Sequence, residues 1–322
     1  YEFQSDHRRV KENSMEEKIG KVTLDLTWYP GEDLYSDGPV EEELLEIART
    51  YKEEELNQVI AERNSWAVLY HFSHIRQNIL EWLPIEKEHK VLEIGSGCGA
   101  ITGALARKAK EVTCIELSKM RSTINAYRNQ EYDNVKILVG NFQDIEKNLE
   151  ETYDYITLIG VFEYSEGYIG TKEPYVEMIR RISRHLAPGG KLVIAIENRL
   201  GLKYWAGCTE DHVGTYFEGI EGYPNTSGVK TFSRKELLDT IQAAGDFRTT
   251  FYYPYPDYKF PMSIYSDAYL PKKGELRDNF CNYDRVRMQL FQEPKVYDTL
   301  VDAGMFPEFS NSFLVLVEKE DV

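Results

Sequence analysis

Val91-Leu92-Glu93-Ile94-Gly95-Ser96-Gly97-Cys98-Gly99 decides the fold. A short, nearly continuous apolar run ends in a cluster of glycines and leads into a helical stretch over 99–109. Gly95 suits a tight turn, Gly97 lets a ligand approach the backbone, and Gly99 lets the next helix pack close. The first amides of that helix are left free for a polar or anionic group. Outward from this point the pattern repeats. Strands are predicted at 90–94, 111–117, 135–140, 154–161 and 191–197, each apolar enough to be covered on both faces. Helices are predicted between them at 99–109, 118–129 and 172–186. This alternation means a parallel sheet with right-handed crossovers and helices on both faces.

The flanks read differently. Val22, Leu24 and Leu26 alternate as one strand, and Pro39 followed by acids opens a helix. Trp66, Leu69, Phe72, Ile75, Ile79 and Leu83 share one helical face, predicting a single helix over about 55–83. Ser233 and Glu236 form a capping box for a helix to about 244, and two late strands are expected at 247–253 and 311–318. Two long stretches interrupt the alternation. Residues 198–231 carry six glycines, and residues 254–308 begin in a run, 251–269, with eight Phe or Tyr in nineteen residues. Insertions of this kind on a compact sheet are usually functional or disordered; the aromatic load argues for order, and both are expected to cap the crevice. The domain reading is an acidic N-terminal arm over 1–56 and one α/β domain over 57–322 carrying both insertions.

The chain has 322 residues and a net charge of −16. Residues 1–60 hold 16 acidic and 7 basic side chains, so the acid is concentrated in the arm. This balance opposes phosphate-held nucleic acid and docking on anionic lipid. Cys98, Cys114, Cys208 and Cys281 show no CxxC spacing, the usage of a reducing compartment rather than of a disulfide framework or zinc site. No apolar run approaches the ~20 residues of a membrane span. A cytoplasmic protein is expected, with no metal ligands marked in the sequence and no nucleic acid or membrane as partners; the oligomeric state and the need for a metal stay open.

The ligand chemistry comes from details around the turn. The glycine spacing is GxGxG, with Ala100 where a dinucleotide turn carries its third glycine, a replacement such turns also tolerate. The Lys-Ser/Thr of a phosphate loop is absent. Glu93, two residues before the first glycine, is awkward beside a pyrophosphate and suits a ligand with a positive amino group. Glu116 ends the second strand at the crevice edge, where a carboxylate can accept both hydroxyls of a ribose. Asn141-Phe142 follows the third strand, where an adenine edge can be read. Pro188-Gly189-Gly190 turns into the fifth strand.

These residues, over about 60–253 and 311–319, resemble the class I S-adenosylmethionine-dependent methyltransferases. The resemblance implies a Rossmann-like sheet of seven mostly parallel strands, the last antiparallel and paired as a hairpin with the sixth. It implies S-adenosylmethionine as cofactor. Carried over position by position, Glu93 would face the methionine amino group, and the backbone of Gly95, Ser96, Gly97 and Gly99 would run along the cofactor. Glu116, with Leu117 beside it, would hold the ribose. Asn141 and Phe142 would read adenine, with Asp144 a substitute, because many members have Asp at the Asn141 position. Gly160 and Val161 would lie near the methyl sulfonium. Tyr70 and Arg76 could line the cofactor carboxylate, whereas packing or solvation suits His71 and His74.

On the acceptor side the candidates are Glu163 and Tyr164 after the fourth strand, Glu197, Asn198 and Arg199 after the fifth, and Tyr204 and Trp205 beyond them. His212, in the first insertion, is the candidate general base, with Glu197 and Glu163 as the other catalytic candidates. The arm sequence Tyr29-Pro30-Gly31-Glu32-Asp33 and the segment 197–205 are loosely similar to bacterial methyltransferases associated with surface polysaccharides and glycosylation. That likeness implies O-methylation of a sugar, a glycan or another small acceptor. The alternatives are a secondary metabolite or quinone-like precursor as acceptor and, outside the class, an NAD-dependent oxidoreductase or a non-catalytic cofactor-binding module.

Overall fold

A computed structural model describes residues 15–33, 35–277 and 284–319. Ten strands form one sheet: β1 (Glu16–Ile19), β2 (Val22–Trp28), β3 (Lys90–Ile94), β4 (Glu111–Glu116), β5 (Val135–Gly140), β6 (Tyr153–Ile159), β7 (Leu186–Glu197), β8 (Phe247–Tyr255), β9 (Ser263–Ser266) and β10 (Ser312–Lys319). Their order is β1-β2-β5-β4-β3-β6-β7-β10-β8-β9. The inner seven, β5 to β8, are the expected Rossmann-like methyltransferase sheet. β3 to β7 run parallel, and β10 enters antiparallel between β7 and β8. The chain winds from β3 toward β5, then returns to β6 on the other side of β3. Ligands bind in the crevice that such a reversal opens at the carboxyl ends of the strands.

Three edge strands enlarge the expected seven. β1 and β2 form a hairpin whose second strand pairs parallel with β5, and β9 folds back on β8. The acidic arm is thereby built into the domain. Val22, Leu24 and Leu26 are buried in the same cluster as Val112 and Ile137. The helix Val40–Thr50 buries Leu44 and Ile47 against Phe72 and Ile124.

The helix expected over 55–83 is broken into Leu56–Arg63, Trp66–Phe72 and Asn78–Glu81, with a 3₁₀ turn at His74–Gln77. Asn64 closes the first piece in the left-handed conformation (φ 48°), where Asn is tolerated better than most residues. Ser73, extended, accepts from the Ile75 amide and starts the 3₁₀ turn. The apolar spacing survives these breaks because the pieces pack inward, Val68 and Phe72 in one cluster and Ile79 and Leu83 in another.

Most of the aromatic run 251–269 is core. Phe251, Tyr253 and Tyr255 pack with Tyr297, Phe306 and Phe313. Cys98, Cys114 and Cys208 are buried free thiols, and Cys281 lies outside the described residues. Among the described residues no helix is long and apolar enough to cross a membrane.

Candidate active site

The glycine turn after β3 has the backbone that its sequence requires. Gly95, Gly97 and Gly99 all have positive φ (71°, 52° and 77°). A Cβ on Gly95 would lie 2.4 Å from Val161, and one on Gly99 would lie 2.4 Å from the Asn125 side chain. A Cβ on Gly97 would meet nothing within 4 Å. Gly95 and Gly99 are therefore close-packing glycines, whereas Gly97 faces open space.

That space is a cavity of about 670 Å³ over the carboxyl ends of β3, β4 and β6, within the size range of small-molecule sites. Gly95, Gly97, Glu116 and Leu117 form one side, and Gly160 and Val161 form the floor after β6. Tyr35, Trp66, Tyr70, Tyr164 and Tyr168 supply aromatic walls. A narrow slot adjoins it, lined by Ile115, Glu116, Gly140, Phe142, Tyr168 and Met178.

Glu116 is buried at the junction of slot and cavity. One carboxylate oxygen accepts from the Gly97 amide at 2.8 Å and the other from the Ser118 amide at 3.0 Å. Burial pushes its pKa up, opposed by these amides and by Arg121. Each oxygen retains a lone pair, so the group can still accept from a diol.

Glu93 does not reach the cavity. It lies beneath the glycine turn, where it accepts from the Thr102 hydroxyl at 2.6 Å and contacts the Cys114 thiol. Thr102 accepts from Asn125, which in turn accepts from Asn129. Burial raises the Glu93 pKa to about 7. The carboxyl belongs to a buried polar network that supports the turn from below, and it does not face a ligand amino group. Ser96 is buried and not among the cavity-lining residues.

The adenine-side expectations divide. Phe142 lines the slot. The Asn141 side chain instead caps the helix Phe142–Glu146 by accepting from the Gln143 amide at 2.9 Å, which commits its oxygen. Asp144, on that helix, is exposed to solvent.

Most acceptor-side candidates after β7 are structural. Asn198 is fully buried and donates to the Glu308 and Ser310 carbonyls. Arg199 makes two hydrogen bonds to Glu236 and caps the Gly219 and Ile220 carbonyls. Tyr204 is buried away from the cavity. Trp205 is half-exposed and donates to the Leu200 carbonyl. The cause is the turn after Glu197, where Asn198 bridges to Phe232 and leads the chain away from the crevice. Tyr164 does line the cavity.

Glu163, Glu197 and His212 meet in space. The His212 Nε2 is 3.5 Å from Glu163 and 3.8 Å from Glu197, and its Nδ1 is 2.9 Å from Glu210. Burial lowers the His212 pKa, but Glu197, Glu163 and Glu210 outweigh it and raise the value to about 11. The three carboxylates thus favour the protonated ring, which opposes the general-base role expected of His212. Burial also raises the Glu197 pKa, against Lys259 and His212. The Lys259 Nζ is 2.6 Å from one Glu197 oxygen. Tyr258 donates to that oxygen at 3.4 Å and packs over Gly160.

The covering of the cavity departs from expectation. Of residues 198–231 only Gly228 lines it, and none of the described residues of 254–308 does. The roof comes from the N-terminal segment, in Tyr35, Asp37 and Val40. Asp33 accepts from the Lys119 and Met120 amides and from the Ser118 hydroxyl. Arg121 pairs with Asp37 and Glu41 and lies over the Tyr35 ring. Arg76 stacks on Tyr70 at 4.0 Å, and its buried Nη1 has no hydrogen-bond partner. An unpaired buried guanidinium nitrogen behind a cavity wall fits a ligand carboxylate. Sequence reasoning missed Tyr35, Asp37, Arg121 and Tyr168, whose roles depend on partners distant in sequence, and Glu210, which holds His212 two residues on.

Residues 92–192 match the family model described as Methyltransferase domain. The matched segment runs from β3 into β7 and holds the glycine turn, Glu116, Gly160 and Val161. Among curated relatives, the ribosomal RNA small subunit methyltransferase A of Borreliella burgdorferi is 34% identical over 111 residues, 34% of this chain and 38% of that protein. The alignment thus spans well under half of that relative. The enzyme of the same name from Staphylococcus aureus is 22% identical over 244 residues, 73% of this chain and 79% of its own. Among solved structures, Haemonchus contortus phosphoethanolamine N-methyltransferase 1, with phosphoethanolamine and S-adenosylhomocysteine, matches with a TM-score of 0.47 and 13% identity, over 90% of this chain and 52% of that one.

Proposed function

We propose that the protein is an S-adenosylmethionine-dependent methyltransferase that O-methylates a small polyhydroxylated acceptor, a sugar or glycan terminus, by direct in-line transfer. The observation that carries this reading is a cavity bounded by the glycine turn and Glu116 on one side and by aromatic rings on the other. The cofactor supplies an electrophilic methyl on a sulfonium. The chain's own work is binding and alignment, which supply most of the effect in a displacement of this kind. Glu116 would accept from the ribose hydroxyls, and Gly97 would let the cofactor lie against bare backbone. Phe142 and Met178 would enclose the base in the slot, and Arg76, stacked behind the wall residue Tyr70, would be the cation for the carboxylate. Tyr35, Tyr70 and Tyr164 offer ring faces and hydroxyls, which suit the apolar faces and hydroxyl edges of a sugar.

A second acceptor class has a specific motive, because the curated relatives named above act on ribosomal RNA according to their names. The net charge of −16 opposes it, since RNA binding rests on basic side chains that neutralise phosphates. Incubation with methyl-labelled cofactor and, separately, nucleotide sugars, oligosaccharides and ribosomal RNA tests the reading. Label in a saccharide is the expected result. Label in RNA alone would overturn the acceptor and keep the cofactor.

A further inference from the structure

We propose that Glu163, Glu197 and His212 form a binding site for one divalent transition-metal cation, of the Mn²⁺ or Zn²⁺ kind. Among the described residues these three each place one ligand atom within 4.8 Å of the others. Oxygen and imidazole ligands at 2.0–2.2 Å from a common tetrahedral ion lie about 3.4 Å apart. The 3.5 and 3.8 Å separations seen here are near that spacing. They are long for charge-assisted hydrogen bonds, which close to about 2.7–2.9 Å.

Two further observations point to a ligand. Glu163 and Glu197 are 1% and 0% exposed, yet each leaves its Oε2 without a hydrogen-bond partner. The unpartnered Glu197 Oε2 is the atom that faces His212 Nε2. Carboxylate oxygens buried in this way are costly unless a cation or donor meets them. The surroundings also orient the ligands. Glu210 accepts from the backbone amides of His212 and Val213 and from His212 Nδ1. With Nδ1 as donor, Nε2 is left to bind a metal, the carboxylate–histidine arrangement that fixes ligand orientation in metal sites. Lys259 holds the other Glu197 oxygen but divides its charge with Asp211. A cation bound there takes the place of the Nε2 proton; with His212 then neutral, Glu163, Glu197 and Glu210 against Lys259 leave two negative charges, which one divalent cation balances.

Mixed carboxylate and imidazole donors favour Mn²⁺ or Zn²⁺ over Mg²⁺ and Ca²⁺, and three protein ligands leave a position open. The site adjoins the cavity, because the wall residue Tyr164 meets the His212 ring edge-on at 5.6 Å. A cation there could polarise an acceptor hydroxyl. That last role rests on the proposed function; the binding site itself does not.

The test uses the full chain stripped with chelator. Mn²⁺ is titrated by loss of the free-ion paramagnetic resonance signal, and Zn²⁺ by calorimetry. One equivalent should bind, and Glu163→Gln and His212→Gln should each weaken binding at least tenfold. No binding to wild-type protein, or equal binding in both folded variants, would overturn the proposal. S-adenosylhomocysteine titrated into the same preparations reads the cofactor site separately. If it binds while neither metal does, the metal site alone is refuted. If a metal binds while it does not, the proposed function alone is refuted.

Discussion

Glu93 is an acid that the fold keeps close to neutrality. Its folded pKa of about 7 lies above the ordinary value for a glutamate, so the native state binds its proton more tightly than the unfolded chain does. The stabilisation is therefore fully present below about pH 4.5 and is lost as pH rises through 7. The shift corresponds to roughly 3 kcal/mol. Glu93→Gln keeps an oxygen for the Thr102 hydroxyl and removes the titration. Melting curves at pH 5 and pH 8 should show the variant gaining on wild type as pH rises. Parallel pH dependence of the two proteins would mean that Glu93 is ionised in the fold. At Gly97 the constraint is conformational, because φ is positive and no neighbour crowds the position. Gly97→Ala should cost about 1–2 kcal/mol of stability and weaken cofactor binding further, because the added methyl faces the cavity. Calorimetry alongside denaturant unfolding separates the two effects. Stability loss with unchanged cofactor affinity would remove Gly97 from the ligand surface.

At the scale of elements, the helix Lys119–Arg128 has two caps. Its own Ser118 accepts from the Arg121 amide, and Asp33, 86 residues earlier, accepts from the Lys119 amide at 2.6 Å. Asp33→Ala should cost about 1 kcal/mol, as lost caps do. It should also lower cofactor affinity, because the same contact fastens the roof segment carrying Tyr35 and Asp37. An affinity unchanged in the variant would uncouple the roof from the cap. This pairing also shows where sequence reading stops. The central strands were legible because a strand buried on both faces writes a continuous apolar run, as in residues 137–139 and 192–196. β1 and β9 are short and lie at the sheet's edges, so neither leaves such a run. In the site, Gly95, Gly97 and Glu116 were legible because local backbone demands and a strand-end acid mark them. Asn198 and Arg199 were misread as ligands because a strand end predicts exposure to the crevice. The partners that bury them, Ser310 and Glu236, lie far along the chain. Glu210 was invisible for another reason: it holds His212, only two residues on, through a turn that its sequence does not announce.

For the whole molecule, the boundary expected at residue 56 is not a seam. Val22, Leu24, Leu44 and Ile47 are wholly buried, and each such side chain contributes about 1.5–3 kcal/mol by burial. A protein lacking residues 1–56 therefore loses an amount comparable to the 5–15 kcal/mol that holds a typical domain together. Circular dichroism and melting should show that it does not fold cooperatively. A truncated chain that melts like the full one would restore the arm as a separate piece. The central claim is that the crevice over β3, β4 and β6 holds S-adenosylmethionine, with Glu116 on its ribose. Calorimetric titration of S-adenosylhomocysteine into wild-type and Glu116→Ala protein, with NADH in parallel, tests it most directly. The account predicts one molecule of S-adenosylhomocysteine per chain, no NADH heat, and an affinity lower by roughly 10–150-fold in the variant, the worth of a charge-assisted hydrogen bond. NADH binding in place of S-adenosylhomocysteine, or equal affinity in a folded Glu116→Ala protein, would contradict it.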